Sequence, residues 1–155
     1  MKIALFKGTS CISHLIRWQT RSPYSHAAIL FDDGAMVEAV GGVGVRHTTL
    51  AEAYGGKNED IDIFEIEGLT PQGIQAAREF ALAQVGKPYD YTMVIRFVTR
   101  EQEARASAGK WFCSEYVFAS ASKAVELFRQ TEPWEVSPAL LPRSTTLKYS
   151  HTVRP

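Results

Sequence analysis

Ser25-His26-Ala27-Ala28-Ile29-Leu30-Phe31-Asp32-Asp33-Gly34-Ala35-Met36-Val37-Glu38-Ala39-Val40 is the stretch on which the reading of this chain turns. Two apolar runs flank an acidic pair and a glycine, the composition of a β-hairpin with a tight turn. Each run carries one polar residue that a buried strand does not ordinarily choose, His26 and Glu38. The loop decides whether they meet. A two-residue loop, Asp33-Gly34, pairs Glu38 with Ile29 and puts it on the face away from His26. A three-residue loop, Asp32-Asp33-Gly34 with Gly34 in the left-handed region, sets Val40 opposite His26 and Glu38 opposite Ala28. The two side chains are then diagonal neighbours on one face, about 7 Å apart between Cβ atoms and within reach of a hydrogen bond. Taken singly, His26 reads as a structural histidine near a strand end, and Glu38 as a solvated charge on the outer face of the hairpin.

Working outward, Lys2 to Phe6 reads as a strand, and Ser10 or Ser13 caps a helix through Leu15, Ile16 and Trp18. After the hairpin, Gly41-Gly42-Val43-Gly44-Val45 is glycine-interrupted extended chain, where the missing side chains point to a bulge or to close approach of another group, a ligand among the candidates. Thr49 to Tyr54 reads as a short helix and Ile61 to Ile66 as a strand. Thr70-Pro71 opens a helix with Ile74, Ala77, Phe80 and Ala81 on its apolar stripe, ended by Gly86-Lys87-Pro88. Further helices are expected over Tyr91 to Ala106 and from Cys113 to about Gln130. The proline-containing tail is expected to be mostly irregular, with a last strand near Leu147 to Tyr149. No internal repeat or linker interrupts the chain, so one domain over 1–155 is expected.

That length suffices for a core burying about two-thirds of the unfolded surface. Hydrophobic residues make up 45% and charged residues 22%, ordinary globular values. Basic and acidic residues both total 17 and the basic ones are scattered, which argues against a nucleic-acid partner and a polybasic membrane patch. Cys11 and Cys113 are too few for a disulfide framework, and no clustered Cys/His spacing suggests a metal. The apolar run Ile3 to Phe6 is too short for a signal peptide or a membrane span, so no transmembrane segment and a cytoplasmic location are expected by default.

Cys113 lies in Trp111-Phe112-Cys113-Ser114-Glu115-Tyr116, where a loop gives way to a helical pattern. At a helix N-terminus the unpaired N–H groups and the dipole favour a thiolate, and first-turn N–H groups, with Ser114 among the candidates, can donate to an oxyanion. By itself, a lone cysteine between aromatics is more often a buried small apolar residue. A base with an orienting carboxylate changes that balance, since a Cys/His pair needs a third group to hold the ring. Tyr24 is a further oxyanion candidate, with a packed aromatic at a turn as the alternative. His47, following the glycine-rich stretch, is a substrate-contact candidate. Asp90 is expected to cap the helix after it, and Glu115 to face away from the thiol.

Tyr24-Ser25-His26, Glu38, Gly86-Lys87-Pro88-Tyr89-Asp90-Tyr91 and Phe112-Cys113-Ser114-Glu115, in that order, resemble the circularly permuted NlpC-type papain-like enzymes. The bacterial YiiX-like hydrolases belong to that group, as does, more distantly, lecithin:retinol acyltransferase. The resemblance covers roughly residues 1 to 125, and the chain after Ser137 matches nothing assigned. It implies an α+β fold with a small antiparallel sheet or barrel packed against helices and the catalytic cysteine at a helix N-terminus. It implies Cys113 as nucleophile, His26 as base and Glu38 as third polar residue, with no metal or organic cofactor. The expected substrates are small-molecule, peptide or lipid acyl compounds, cleaved at an amide or ester through an acyl-enzyme. Transfer to a lipid or amine acceptor and a non-catalytic binding module stand as alternatives. A cell-wall substrate would require release on lysis or carriage by a phage particle. Oligomeric state is not legible.

Overall fold

Alternating and apolar runs build the sheet. In the computed structural model, which describes residues 1–94 and 109–154, Lys2–Phe6 (β1), His26–Leu30 (β2), Ala35–Val40 (β3), Gly44–Thr49 (β4), Ile61–Ile66 (β5) and Leu147–Val153 (β6) form one antiparallel sheet. Its spatial order is β4-β3-β2-β1-β5-β6. The middle strands are apolar on both faces because both are covered. On one face Leu5, Ala27, Ile29, Val37 and Ala39 join a core with Tyr116, Val117 and Ala121. On the other, Ala4, Phe6, Ala28, Met36, Ile61 and Ile63 pack with Tyr54.

Four helices whose bounds lie among the described residues pack around this sheet. Cys11–Thr20 (α1) begins at Ser10, whose hydroxyl accepts the Ser13 N–H at 3.1 Å. Leu50–Tyr54 (α2) carries a capping box between Thr49 and Glu52, two orphan donors satisfied reciprocally. Pro71–Ala83 (α3) is capped by Thr70 with proline in its first turn. Cys113–Ala121 (α4) is buried along its whole length, packs on β2 and β3, and is tied to α3 by the Tyr116 hydroxyl donating to the Ala81 carbonyl at 3.0 Å.

Two expectations change. The α4 helix stops at Ala121 rather than near Gln130: Lys123 and Ala124 bond to the carbonyls of Ser120 and Ala121, the tighter pattern of a helix end. The Ser144 and Thr146 hydroxyls then take the carbonyls of Leu127 and Glu126. The tail is also more regular than expected, because β6 runs the full length of β5 with a bulge at Ile63/Phe64. Its middle residues, Lys148 to Thr152, are exposed, as an edge strand allows, so the apolar alternation that betrays a strand is missing there. The helix expected over Tyr91 to Ala106 begins among the described residues, with 92–94 helical, and otherwise lies outside them.

The glycine-rich stretch lies close against the protein itself. The Val45 N–H donates to the Lys87 carbonyl at 2.8 Å, and the Gly86 N–H returns to the Val45 carbonyl at 2.9 Å. A Cβ at Gly44 would overlap that Lys87 carbonyl, and Gly44 also sits at φ +90°. The Gly42 N–H donates to the Tyr91 hydroxyl at 2.6 Å.

Candidate active site

The hairpin closes through the three-residue loop. The Phe31 N–H donates to the Ala35 carbonyl at 2.8 Å, the Gly34 N–H to the Phe31 carbonyl at 3.0 Å, and Gly34 adopts φ +86°. Ala28 therefore opposes Glu38, and His26 and Glu38 share a face. His26 Nε2 lies 2.6 Å from Glu38 Oε2. Glu38 is fully buried, and a buried carboxylate needs partners for its lone pairs. It has them on both oxygens. The Tyr54 hydroxyl donates to Oε2 at 2.7 Å, and Arg46, directly opposite Glu38 on β4, donates from Nε to Oε1 at 2.8 Å and from Nη2 to the same atom.

Cys113 is the first residue of α4, entered from Phe112 in an extended conformation. The segment before it is stitched to Gly86-Lys87-Pro88-Tyr89-Asp90. Trp111 donates to the Pro88 carbonyl at 3.1 Å, Asp90 donates to the Trp111 carbonyl at 3.0 Å, and Tyr89 and Trp111 form a parallel bridge. Asp90 Oδ1 accepts the Thr92 N–H at 2.9 Å, two residues on, where the chain turns into the helix that begins at 92. Glu115 turns back onto the helix end, where its Oε2 accepts the Phe112 N–H at 3.2 Å. The stitching packs Tyr89 against the cluster that holds Cys113, and the Tyr89 hydroxyl and the His26 ring both interact electrostatically with the thiol. With Nε2 committed to Glu38, Nδ1 is the ring nitrogen left for Cys113.

Burial alone would lower the His26 pKa, but the hydrogen bonds to Cys113 and Glu38 and the negative charge on both outweigh it and raise it to about 10. Glu38 moves the other way. Burial pushes its pKa up, yet the bonds from His26, Tyr54 and Arg46 and the His26 charge bring it down to about 2. A histidine set between a buried carboxylate and a thiol is an arrangement in which the ring can accept and return a proton.

A cleft of about 370 Å³ opens beside these residues, bordered by Gly8 and Ser10 at the start of α1, His26, Tyr54, Tyr89 and Tyr91. Cys113 is buried and in contact with His26 and Tyr89, both of which border the cleft.

The other candidates are placed elsewhere. The Tyr24 hydroxyl donates to Asp62 Oδ2 at 2.7 Å and its ring packs edge-on against Phe64, so its polar tip is spent on the far side of the sheet. His47 stands opposite Val37 and so falls on the face away from Glu38 and Arg46; it is exposed and does not line the cleft. The Ser114 hydroxyl donates to the Val136 carbonyl, which ties the tail to α4 and leaves only its backbone N–H for a substrate. Sequence reasoning passed over three residues. Tyr89 stood in a motif read as a helix entrance, where its distance from Cys113 in sequence hid their contact. Arg46 was accessible through β4 alternation once β3 was in register. Tyr54 gave no signal, since only the packing of α2 brings its hydroxyl to Glu38.

The chain belongs to a known family, that of the permuted papain-like amidase enzymes, YaeF/YiiX, C92 family, whose model matches residues 4–132. Among solved structures, the metalloprotein YiiX from Escherichia coli O157:H7 has the same fold, with a TM-score of 0.73 over 99% of this chain and 97% of that one at 22% identity. Among the described residues, no three His, Cys, Asp or Glu side chains gather to hold a metal ion. No curated protein matches the sequence. No helix among the described residues is long and apolar enough to cross a membrane.

Proposed function

We propose that this protein is a thiol hydrolase that cleaves an amide or ester bond, in a cell-wall peptide, a lipid or an acylated amine, through an acyl-enzyme on Cys113. The observation that carries the reading is the unbroken side-chain path from buried Glu38 through His26 to Cys113 at a helix N-terminus, beside a cleft. His26 takes the thiol proton, and the sulfur attacks the substrate carbonyl carbon as the carbonyl π electrons move to oxygen. Backbone N–H groups of the first turn of α4 and the Tyr89 hydroxyl are the donors available to that oxyanion. Collapse of the intermediate breaks the bond to the leaving group, which departs with the proton from His26 and leaves a thioester. Water then attacks the thioester, His26 accepts its proton, and release of the acid returns that proton to sulfur.

Replacing Cys113 with Ala tests this directly. Wild-type protein is expected to gain one adduct mass with iodoacetamide at Cys113 and one acyl mass with an activated ester, both lost in the variant. Equal labelling of the variant would overturn the reading. Adding an amine acceptor after a single acylation measures how the acyl group partitions between water and transfer.

A further inference from the structure

Glu38 is held on every side, and the residues that hold it differ in what else they touch. Arg46 grips Oε1 with two donors from the opposing strand, while Tyr54 shares Oε2 with His26. A carboxylate bonded at one oxygen only can rotate about its last side-chain bond; one gripped at both oxygens from different elements cannot, and its direction becomes that of the bond to the imidazole. The Tyr54 ring adds a second restraint. It packs on Phe6 with centroids 4.5 Å apart, and Phe6 packs on the His26 ring at 5.0 Å. The imidazole ring is thus braced by two tilted ring contacts and its azimuth held by Glu38, with Tyr54 supporting both.

We propose that Arg46 and Tyr54 are positioning residues that fix the Glu38 carboxylate so that His26 presents its second ring nitrogen to Cys113. The proposal rests on the thiol-hydrolase reading. Neither residue touches the thiol; both act through Glu38. Tyr54 also borders the cleft, so a competing role as a plain wall must be separated from this one. Tyr54→Phe keeps the wall and removes only the hydroxyl, while Arg46→Lys keeps the charge and removes the two-pronged grip.

The experiment uses the full chain and two readouts. The first is the rate of Cys113 alkylation by iodoacetamide at neutral pH in wild type, Tyr54→Phe, Arg46→Gln, Arg46→Lys, Glu38→Gln and the Tyr54→Phe/Glu38→Gln double variant. The second is the downfield proton resonance of the His26 Nε2–H in its short bond to Glu38. The expected result is a loss of roughly tenfold in Tyr54→Phe and Arg46→Gln, one pH unit's worth of ion-pair support. Partial recovery is expected in Arg46→Lys, and no further loss when Tyr54→Phe is added to Glu38→Gln, the non-additivity of residues acting through one group. The downfield proton should broaden in Tyr54→Phe while the backbone amide spectrum is retained. Wild-type rates in both single variants, or losses that simply add in the double variant, would overturn the positioning role and leave the hydrolase reading standing. Absence of labelling in wild type itself would overturn both. Should Arg46→Gln fail to fold, Tyr54→Phe and Arg46→Lys carry the decision.

Discussion

Two buried carboxylates lie on opposite faces of the same sheet and are built alike. Glu38 on β3 accepts from the Tyr54 phenol, from Arg46 and from His26. Asp62 on β5 accepts from the Tyr24 phenol at 2.7 Å, from Lys7 Nζ at 3.0 Å and from the Thr152 hydroxyl at 2.6 Å. Each has one phenol, one cation and one further donor, which is what a buried anion requires. The pKa of each is lowered because these bonds overcome the burial that would raise it. The difference lies in the third partner. A threonine hydroxyl does not titrate in the working range, and Thr152 ties β6 to β5. The His26 imidazole carries an exchangeable proton, and it interacts with the Cys113 thiol as well as with Glu38. A buried ion cluster is therefore no sign of a functional site by itself; what its outermost member touches decides.

The largest effects should separate the clusters by reactivity. His26→Ala should slow Cys113 alkylation at neutral pH by about a hundredfold or more, the lower range of general-base contributions, while Asp62→Asn should leave it within about twofold. Comparable losses in both would erase the distinction. Stability should respond next. Glu38→Gln leaves Arg46 facing a neutral amide at a buried site and should lower the unfolding free energy by about 3 kcal/mol in denaturant titrations. Asp62→Asn should cost about 1 to 3 kcal/mol through its three weakened bonds.

Acid and alkali should then act differently on the two. Because the folded His26 pKa is raised from 6.5 to about 10, its contribution to stability is complete below about pH 6.5 and is lost as pH rises through about 10. Glu38, lowered from 4.5 to about 2, contributes above about pH 4.5 and loses that contribution as pH falls through about 2. Asp62 is likewise lowered, so its contribution is lost only on the acid side. Thermal unfolding at pH 7 and pH 10.5 should show a drop in Tm for wild type that is smaller in His26→Ala and unchanged in Asp62→Asn. An equal drop in all three would contradict the His26 assignment. The smallest effect expected is that of Tyr24→Phe, about 1.5 kcal/mol in stability with unchanged alkylation. A clear loss of thiol reactivity there would restore Tyr24 to the site.

The hairpin shows how much was legible in advance. Its apolar runs and its Asp-Asp-Gly turn named both strands, and the two loop lengths stated in advance what each register would do to Glu38. Gly34 at φ +86° realises the three-residue form. The caps at Ser10 and Thr70 were legible for the same reason, since each is a local bond between a side chain and a backbone a few residues on. The edge strand β6 was only half seen because one exposed edge relaxes the apolar pattern. The misplacement of Tyr24 and His47 has a common cause. Proximity to His26 or to a glycine run in sequence says nothing of which face a side chain takes, and both point away from the cleft.

By itself the sequence determined the local features: strand alternation, the place of the hairpin turn, the helix starts at Ser10 and Thr70, and the order His26, Glu38, Cys113 along the chain. Each depends on interactions within a few residues or on a hydrogen-bond register that one turn sets. The tertiary structure alone decided that Tyr89 rather than Tyr24 meets the thiol, that Arg46 and Tyr54 close around Glu38, and that Lys87 and Tyr91 lie against the glycine-rich turn. Those contacts join elements whose separation in sequence carries no periodic signal, and they form because buried polar atoms must find partners wherever packing brings them.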